Sequence, residues 1–329
     1  MKNQSIVRYQ SQTGLTLVEL MVALAIGSFL MIGTVQIYTQ SRQAFVVNES
    51  IARVQETAQF AMDTIETDLR MGSNWGRNSR GMAVEGRSVI GTANPGGLPV
   101  TNVGCGAQWA LDLGVPIDGS DNGYSLTCAA ASTVQADSDV ITVRRASVAP
   151  AALQADRLQI QSTRLQGQLF SDGSIPPGYT AADSATHNLF VSSYYVTQTS
   201  DLIAGVPTLR RQRLVAGSGG SGPTVVDEEV APGVENIQMQ LGIDVDGDNT
   251  VDRYVNPGAA IYNPSAVGYV PGARVMTARV WMLVRGIELE PGVRDDTNYR
   301  PGNATLGVKN DDYRRMQVSK TILLRNART

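Results

Sequence analysis

The chain is poor in the residues that soluble enzymes use for chemistry. It has one histidine, His187, and two cysteines, Cys105 and Cys128, in 329 residues. One histidine leaves most His-based triads and zinc sites without material. No Ser-His-Asp, Cys-His or phosphate-loop pattern is present, so the chain reads as an enzyme's substrate and not as an enzyme. Charge is sparse, at 17% of residues, against a hydrophobic share of 42%. That balance belongs to a folded protein and excludes a disordered one. The first proline is Pro95, so nothing in the first 94 residues forbids a long helix.

The charges are also unevenly placed. Between Tyr9 and Ser41 the only charged residue is Glu19. Residues 1–14 are polar and carry Lys2 and Arg8. Leu15 to Tyr38 is an apolar run long enough to span a bilayer as a helix. Basic residues before the span predict a cytoplasmic N-terminus and export of the rest. A secretory signal would have a shorter apolar core and a cleavage site after it. Here the polar-to-apolar break falls at Gly14-Leu15, before the run, so cleavage there would leave the helix attached. It would also shift the formal net charge from −3 to −5. An acidic body is a poor general partner for nucleic acid.

Glu19 is costly inside an apolar helix and calls for a partner. A cut at Gly14-Leu15 would give Leu15 an α-amine, positive near neutral pH, one helical turn from Glu19. A neighbouring subunit's amine could reach it in a staggered bundle. The alternative is a protonated or snorkelling carboxylate.

The stretch Gly14-Leu15-Thr16-Leu17-Val18-Glu19-Leu20-Met21-Val22-Ala23 closely resembles the class III signal of type IV pilins and type II secretion pseudopilins. The resemblance implies that a prepilin peptidase cuts after Gly14 and that the new N-terminus is methylated. It implies that Glu19 sets subunit register in the filament. Leu15 departs from the family's usual phenylalanine.

Beyond Tyr38 the apolar positions Ile51, Val54, Ala58, Ala61, Ile65 and Leu69 recur every three or four residues, predicting an amphipathic continuation of the helix. Glu49 with Arg53 and Glu66 with Arg70 are favourably oriented i,i+4 pairs. Gly72-Ser73-Asn74 reads as the stop. The expected organisation is a leader (1–14), a helix (15–72, with 15–38 spanning the membrane) and a β-rich body (73–329). The body offers strand patterns at 140–143, 189–196, 209–215, 234–243, 251–255, 275–284 and 313–324, with Lys320 marking an edge or a partly exposed face. The Gly217–Pro223 stretch reads as a flexible loop. Cys105 and Cys128 are expected to form a disulfide, as a lone pair in an exported domain does.

The segments FAMDTIETDLRMG (60–72), ENIQMQLGIDVDGDNTVDRYV (235–255) and YRRMQVSKTILLRN (313–326) resemble the PilW family of minor pilins, whose type II secretion counterpart is the J-type pseudopilin. That resemblance implies an α+β pilin-like fold, a long N-terminal helix packed on an antiparallel, sheet-rich domain. It implies a priming and tip complex with other minor pilins, the major pilin and a tip adhesin, supporting twitching motility and adhesion from an inner-membrane start. Residues 75–230 carry no matching motif. A J-type pseudopilin and a single-pass periplasmic sensor or binding protein remain as other readings.

Two further clusters are candidate sites. Asp244, Asp246, Asp248 and Asp252 offer hard oxygen ligands at a spacing that suits calcium, against a tight turn as the plain reading. The loop is not an EF-hand, since Asn249 and Val255 stand where Gly and Glu are required. Arg210, Arg211 and Arg213 are the densest basic cluster, a DNA contact or a solvated strand. His187 is expected at the surface.

Overall fold

The computed structural model describes residues 14–87, 104–106, 108–290 and 292–328. The chain divides into two units, Met1–Ser50 and Ile51–Thr329. One helix, α1 (Leu17–Arg70), supplies the described part of the first unit and opens the second. In the first unit its apolar side chains are bare, Leu17 at 74% and Phe29 at 78% exposure. By length and composition this helix can cross a membrane.

In the second unit α1 is amphipathic, and its buried residues are Val54, Ala58, Ala61, Met62, Ile65 and Leu69, with the acids Glu66 and Asp68. The three-and-four spacing puts them on one stripe. The helix stops at Arg70, but Gly72 is not the left-handed residue. Ser73 takes that conformation, with φ of 65°. Gly72 instead packs closely on Ile117, where a Cβ would lie 2.8 Å from the Ile117 Cδ1 and would make that side chain shift.

Fourteen strands follow among the described residues. They are β1 (Val84–Glu85), β2 (Ile117–Ser120), β3 (Val140–Ala146), β4 (Ala155–Ser162), β5 (Gly167–Asp172), β6 (Ala185–Thr197), β7 (Thr208–Val215) and β8 (Thr224–Pro232), then β9 (Val234–Asp244), β10 (Arg253–Val255), β11 (Arg274–Arg285), β12 (Asn298–Tyr299), β13 (Gly307–Val308) and β14 (Arg315–Leu323). The first eight form one sheet in the order β1-β5-β4-β6-β3-β2, with β7 on β6 and β8 on β7. Among the described strand pairs of this sheet, β1–β5 alone is parallel. The second sheet runs β10-β9-β11-β14, all antiparallel. β12 and β13 form a separate two-stranded ladder.

The main core lies between the second half of α1 and both sheets. Val54, Ala61 and Ile65 meet Ile237, Met239, Leu241, Val280, Met282 and Ile322, all but fully buried. Period-two alternation on β9 and β11 delivers one apolar face to that stripe. A large aliphatic side chain buried there contributes about 1.5–3 kcal/mol. A second core gathers Trp75, Trp109, Leu111, Leu113, Leu158, Ile160 and Val191 beside Cys105. Cys105 and Cys128 form a disulfide, 23 residues apart in sequence. The Gly217–Pro223 loop is fastened, because Asp156 accepts from the Gly220 and Gly222 amides at 2.9 Å each.

Candidate functional site: the head of the helix and the carboxylates of the body

The head of α1 is built by two side chains. Thr16 precedes the helix, and Glu19 lies at its third position. Glu19 Oε2 accepts from Thr16 N–H and from Thr16 Oγ1, both at 2.9 Å, while Glu19 N–H donates to Thr16 Oγ1 at 3.3 Å. This reciprocal arrangement is a capping box. It satisfies backbone donors that the first turn leaves open, and in the uncut chain it gives the carboxylate a local partner. Gly14 and Leu15 lie just before it, outside the helix and exposed. The Thr-x-x-Glu spacing ahead of an apolar run is legible in the sequence, and reasoning from the class III signal alone passes over it.

Further along, α1 carries two buried acids, each matched by the sheets. Asp68 accepts from Tyr194 Oη at 2.7 Å and from Arg145 Nε at 2.8 Å. Burial and the Asp68 charge push the Tyr194 phenol far up. Glu66 pairs with Arg70 at 2.5 Å and with Lys320 on β14. The Lys320 ammonium holds the Glu66 carboxyl below its ordinary range, and Glu66 in turn raises Lys320. Lys320 therefore breaks the apolar face of β14 because it reaches an acid of the helix.

Arg210, Arg211 and Arg213 sit on β7 opposite the acids of β8. Arg210 is buried and donates to Asp227 at 2.6 Å and to Asp201 at 2.8 Å. Arg211 donates to Glu228 at 2.7 Å, and Arg213 shares that carboxylate. The cluster is an internal ladder of opposite charges, which accounts for its density without phosphate.

His187 is buried, at 4% exposure, and not at the surface. Its Nδ1 donates to the Ser147 carbonyl at 2.8 Å, which fixes the proton on that nitrogen. The strand pattern hid this, because β6 is covered on both faces over much of its length.

Of the four aspartates in the β9–β10 loop, Asp244, Asp246 and Asp252 bring oxygens within 4.8 Å of one another. Asp248 turns away and accepts from Thr250 Oγ1 at 2.6 Å. Asp244 also accepts from the Gly247 and Asn249 amides at 2.7 and 3.0 Å, which closes the turn. The turn and the triplet of oxygens coexist, since each carboxylate oxygen has a second lone pair.

The profile of PilW, type IV pilus-assembly protein W, matches residues 193–326, which span the C-terminal end of β6, all of β7 to β14 and the residues just after. Over that part of its length the chain is similar to the PilW family. The prokaryotic N-terminal methylation motif matches residues 9–35, the segment containing Gly14, Leu15 and the capping box. The PilW match covers the sheet that holds Lys320 and the aspartate loop, and leaves the disulfide region outside. Among solved structures, a type IV-like pilin from Thermus thermophilus is similar at 15% identity over 58% of this chain and 81% of that one, with a TM-score of 0.28. At that score the likeness carries no inference about this chain. No curated protein sequence matches it.

Proposed function

We propose that the chain is a minor pilin of the priming and tip complex of a type IV pilus. It is inserted in the inner membrane with the basic leader inside, cut between Gly14 and Leu15, and methylated on Leu15. It then joins other minor pilins, the major pilin and an adhesin at the tip, and supports twitching motility and adhesion. The observation that carries this reading is the polar-to-apolar break at Gly14-Leu15 with Glu19 five residues on, inside a methylation motif at the head of an apolar helix. The new α-amine of Leu15, or that of a neighbour, competes with Thr16 for the Glu19 carboxylate. A neighbour's amine reaches it only in one axial register, and that register aligns the subunits.

Glu19→Ala tests this. The product should still begin at Leu15 by mass spectrometry when prepilin peptidase is present, and surface piliation should fall. A chain still starting at Met1 in the wild type would make it a static anchor. Normal piliation in Glu19→Ala would remove the register role. Loss of protein secretion with piliation intact would move the chain to the J-type pseudopilins.

We also propose a calcium ion at Asp244, Asp246 and Asp252, favoured by the convergence of their three oxygens within 4.8 Å. Calcium takes six to eight oxygens, so loop carbonyls and water would complete the shell. Titration calorimetry with millimolar calcium should give binding heat that Asp246→Asn together with Asp252→Asn abolishes; no heat in the wild type would end the idea.

A further inference from the structure

β14 is the last strand of the second sheet, paired on one side by β11 and by no strand among the described residues on the other. Its register with β11 runs unbroken from Arg315 to Leu323, without a bulge. Leu324 N–H donates to Met276 O, and Arg314 O accepts from Gly286 N–H. By antiparallel alternation the even-numbered residues face β11, and Gln317, Ser319, Thr321 and Leu323 turn their N–H and C=O groups to the open edge. Among the described residues none of these outward groups has a backbone partner. All four side chains are exposed as well.

Natural sheets protect such an edge with proline, a bulge, a free lysine or a covering segment. This edge has no proline and no bulge. Its single lysine, Lys320, belongs to the inner face and is drawn to Glu66 on α1. The ion pair that fixes β14 to the helix thus also removes the charge that would guard the edge.

We propose that the β14 edge is a strand-addition site for an extended segment of a different pilin-type subunit in the same assembly. The eight alternating donors and acceptors specify the class of ligand, since an extended polypeptide is what satisfies them in order. A second copy of this chain is disfavoured by geometry. Symmetric antiparallel pairing of β14 with itself uses a two-fold axis perpendicular to the sheet, which reverses every direction in the sheet plane. The second half of α1 lies on the inner face of that sheet. Two such copies would send their Ile51 ends in opposite directions, whereas the apolar run joins each copy in sequence at that end and, on the assembly reading, enters one membrane. A strand from another sequence meets no such conflict. It must be free of proline at four alternating positions and face neutral amide and hydroxyl side chains, Gln317, Ser319 and Thr321, on the outer side.

This inference rests on the assembly reading, and the two are tested separately. The full chain in detergent and its complex with co-expressed pilin subunits of the same system are compared by residue-resolved hydrogen–deuterium exchange. In the chain alone, the amides of Gln317, Ser319, Thr321 and Leu323 should exchange fast while those of Val318, Lys320 and Ile322 are protected. In the complex the four outward amides should slow at least ten-fold. Ser319→Pro deletes an outward N–H without touching the β11 ladder and should cut co-purification at least ten-fold. Should that variant unfold, Thr321→Lys keeps the backbone and places a charge at the edge, with the same loss expected. Outward amides already protected in the chain alone, or unprotected in the complex, would overturn the proposal. A wild-type chain that co-purifies with no pilin subunit would overturn the assembly reading itself.

Discussion

Removing the Cys105–Cys128 bridge should destabilise the body by an amount that distinguishes two origins. The bridge closes a loop of 23 residues. The chain-entropy relation gives about 3.4 kcal/mol for a loop of that size near room temperature. The folded loop has other ties. Trp109 Nε1 donates to Ser193 Oγ at 2.8 Å, and Arg144 Nε donates to the Trp109 carbonyl at 2.6 Å. If these hold the loop in place, Cys105→Ala with Cys128→Ala loses only the entropic part, roughly 3 kcal/mol. If they fail, Trp109, Leu111 and Leu113 leave the second core, and each adds about 1.5–3 kcal/mol. Urea unfolding of a fragment beginning at Ile51, followed by tryptophan fluorescence, separates the cases. The first lowers the midpoint and raises m, because the uncrosslinked unfolded chain is more expanded, with the native signal unchanged; the second also changes the native signal. A variant within about 0.5 kcal/mol of the wild type, below the usual range for a native disulfide, would refute the loop-entropy reasoning.

Two other outcomes follow from the titrating groups. Lys320→Met leaves Glu66 with Arg70 alone; because Lys320 is 42% exposed, the cost is about 1 kcal/mol near neutral pH. The Glu66 carboxyl is depressed in the folded state, so this difference should be present above about pH 4.5 and vanish as pH falls through the folded value, as urea midpoints across pH would register. Asp139 behaves oppositely. It is buried and accepts from the Asn122 and Met239 amides at 2.8 and 2.7 Å, yet desolvation outweighs them and pushes it up to about 7. The folded state takes up its proton first, so stability should rise as pH falls from about 7 toward 4, by at most about 1.4 kcal/mol per pH unit. Asp112, also raised by burial, adds in the same direction. Asp139→Asn should flatten that rise, and a wild-type midpoint that falls over this window would contradict the account.

Much of the fold could be read from spacing. The stripe on α1 and the alternation of apolar residues on β9, β11 and β14 are periodic patterns, and each appears where its period places it, although β9 is buried on both faces. The first sheet was only partly legible. β6 is buried on both faces, so alternation gives no direction for His187, and the pairing of β6 with β4, β3 and β7 depends on contacts far apart in sequence. Residues 88–103 lie outside the described part of the chain. Charge was the least legible property. Arg210, Arg211 and Arg213 look like a surface cluster until β8 places Asp227 and Glu228 opposite them. Glu66 looks like one half of a helix pair until β14, some 250 residues later, brings Lys320.

The capping box at the head of α1 bears on whether a subunit can leave a filament as well as enter it. Thr16 already supplies two hydrogen bonds to Glu19 in the isolated chain. An incoming amine would exchange one set of partners for another and would not meet a bare charge in lipid. The net gain from that exchange is the small difference between the two sets. On the proposed register role, Glu19 would select the register of a subunit while adding little to the work of extracting it, so the helix head is compatible with a fibre that both grows and shortens.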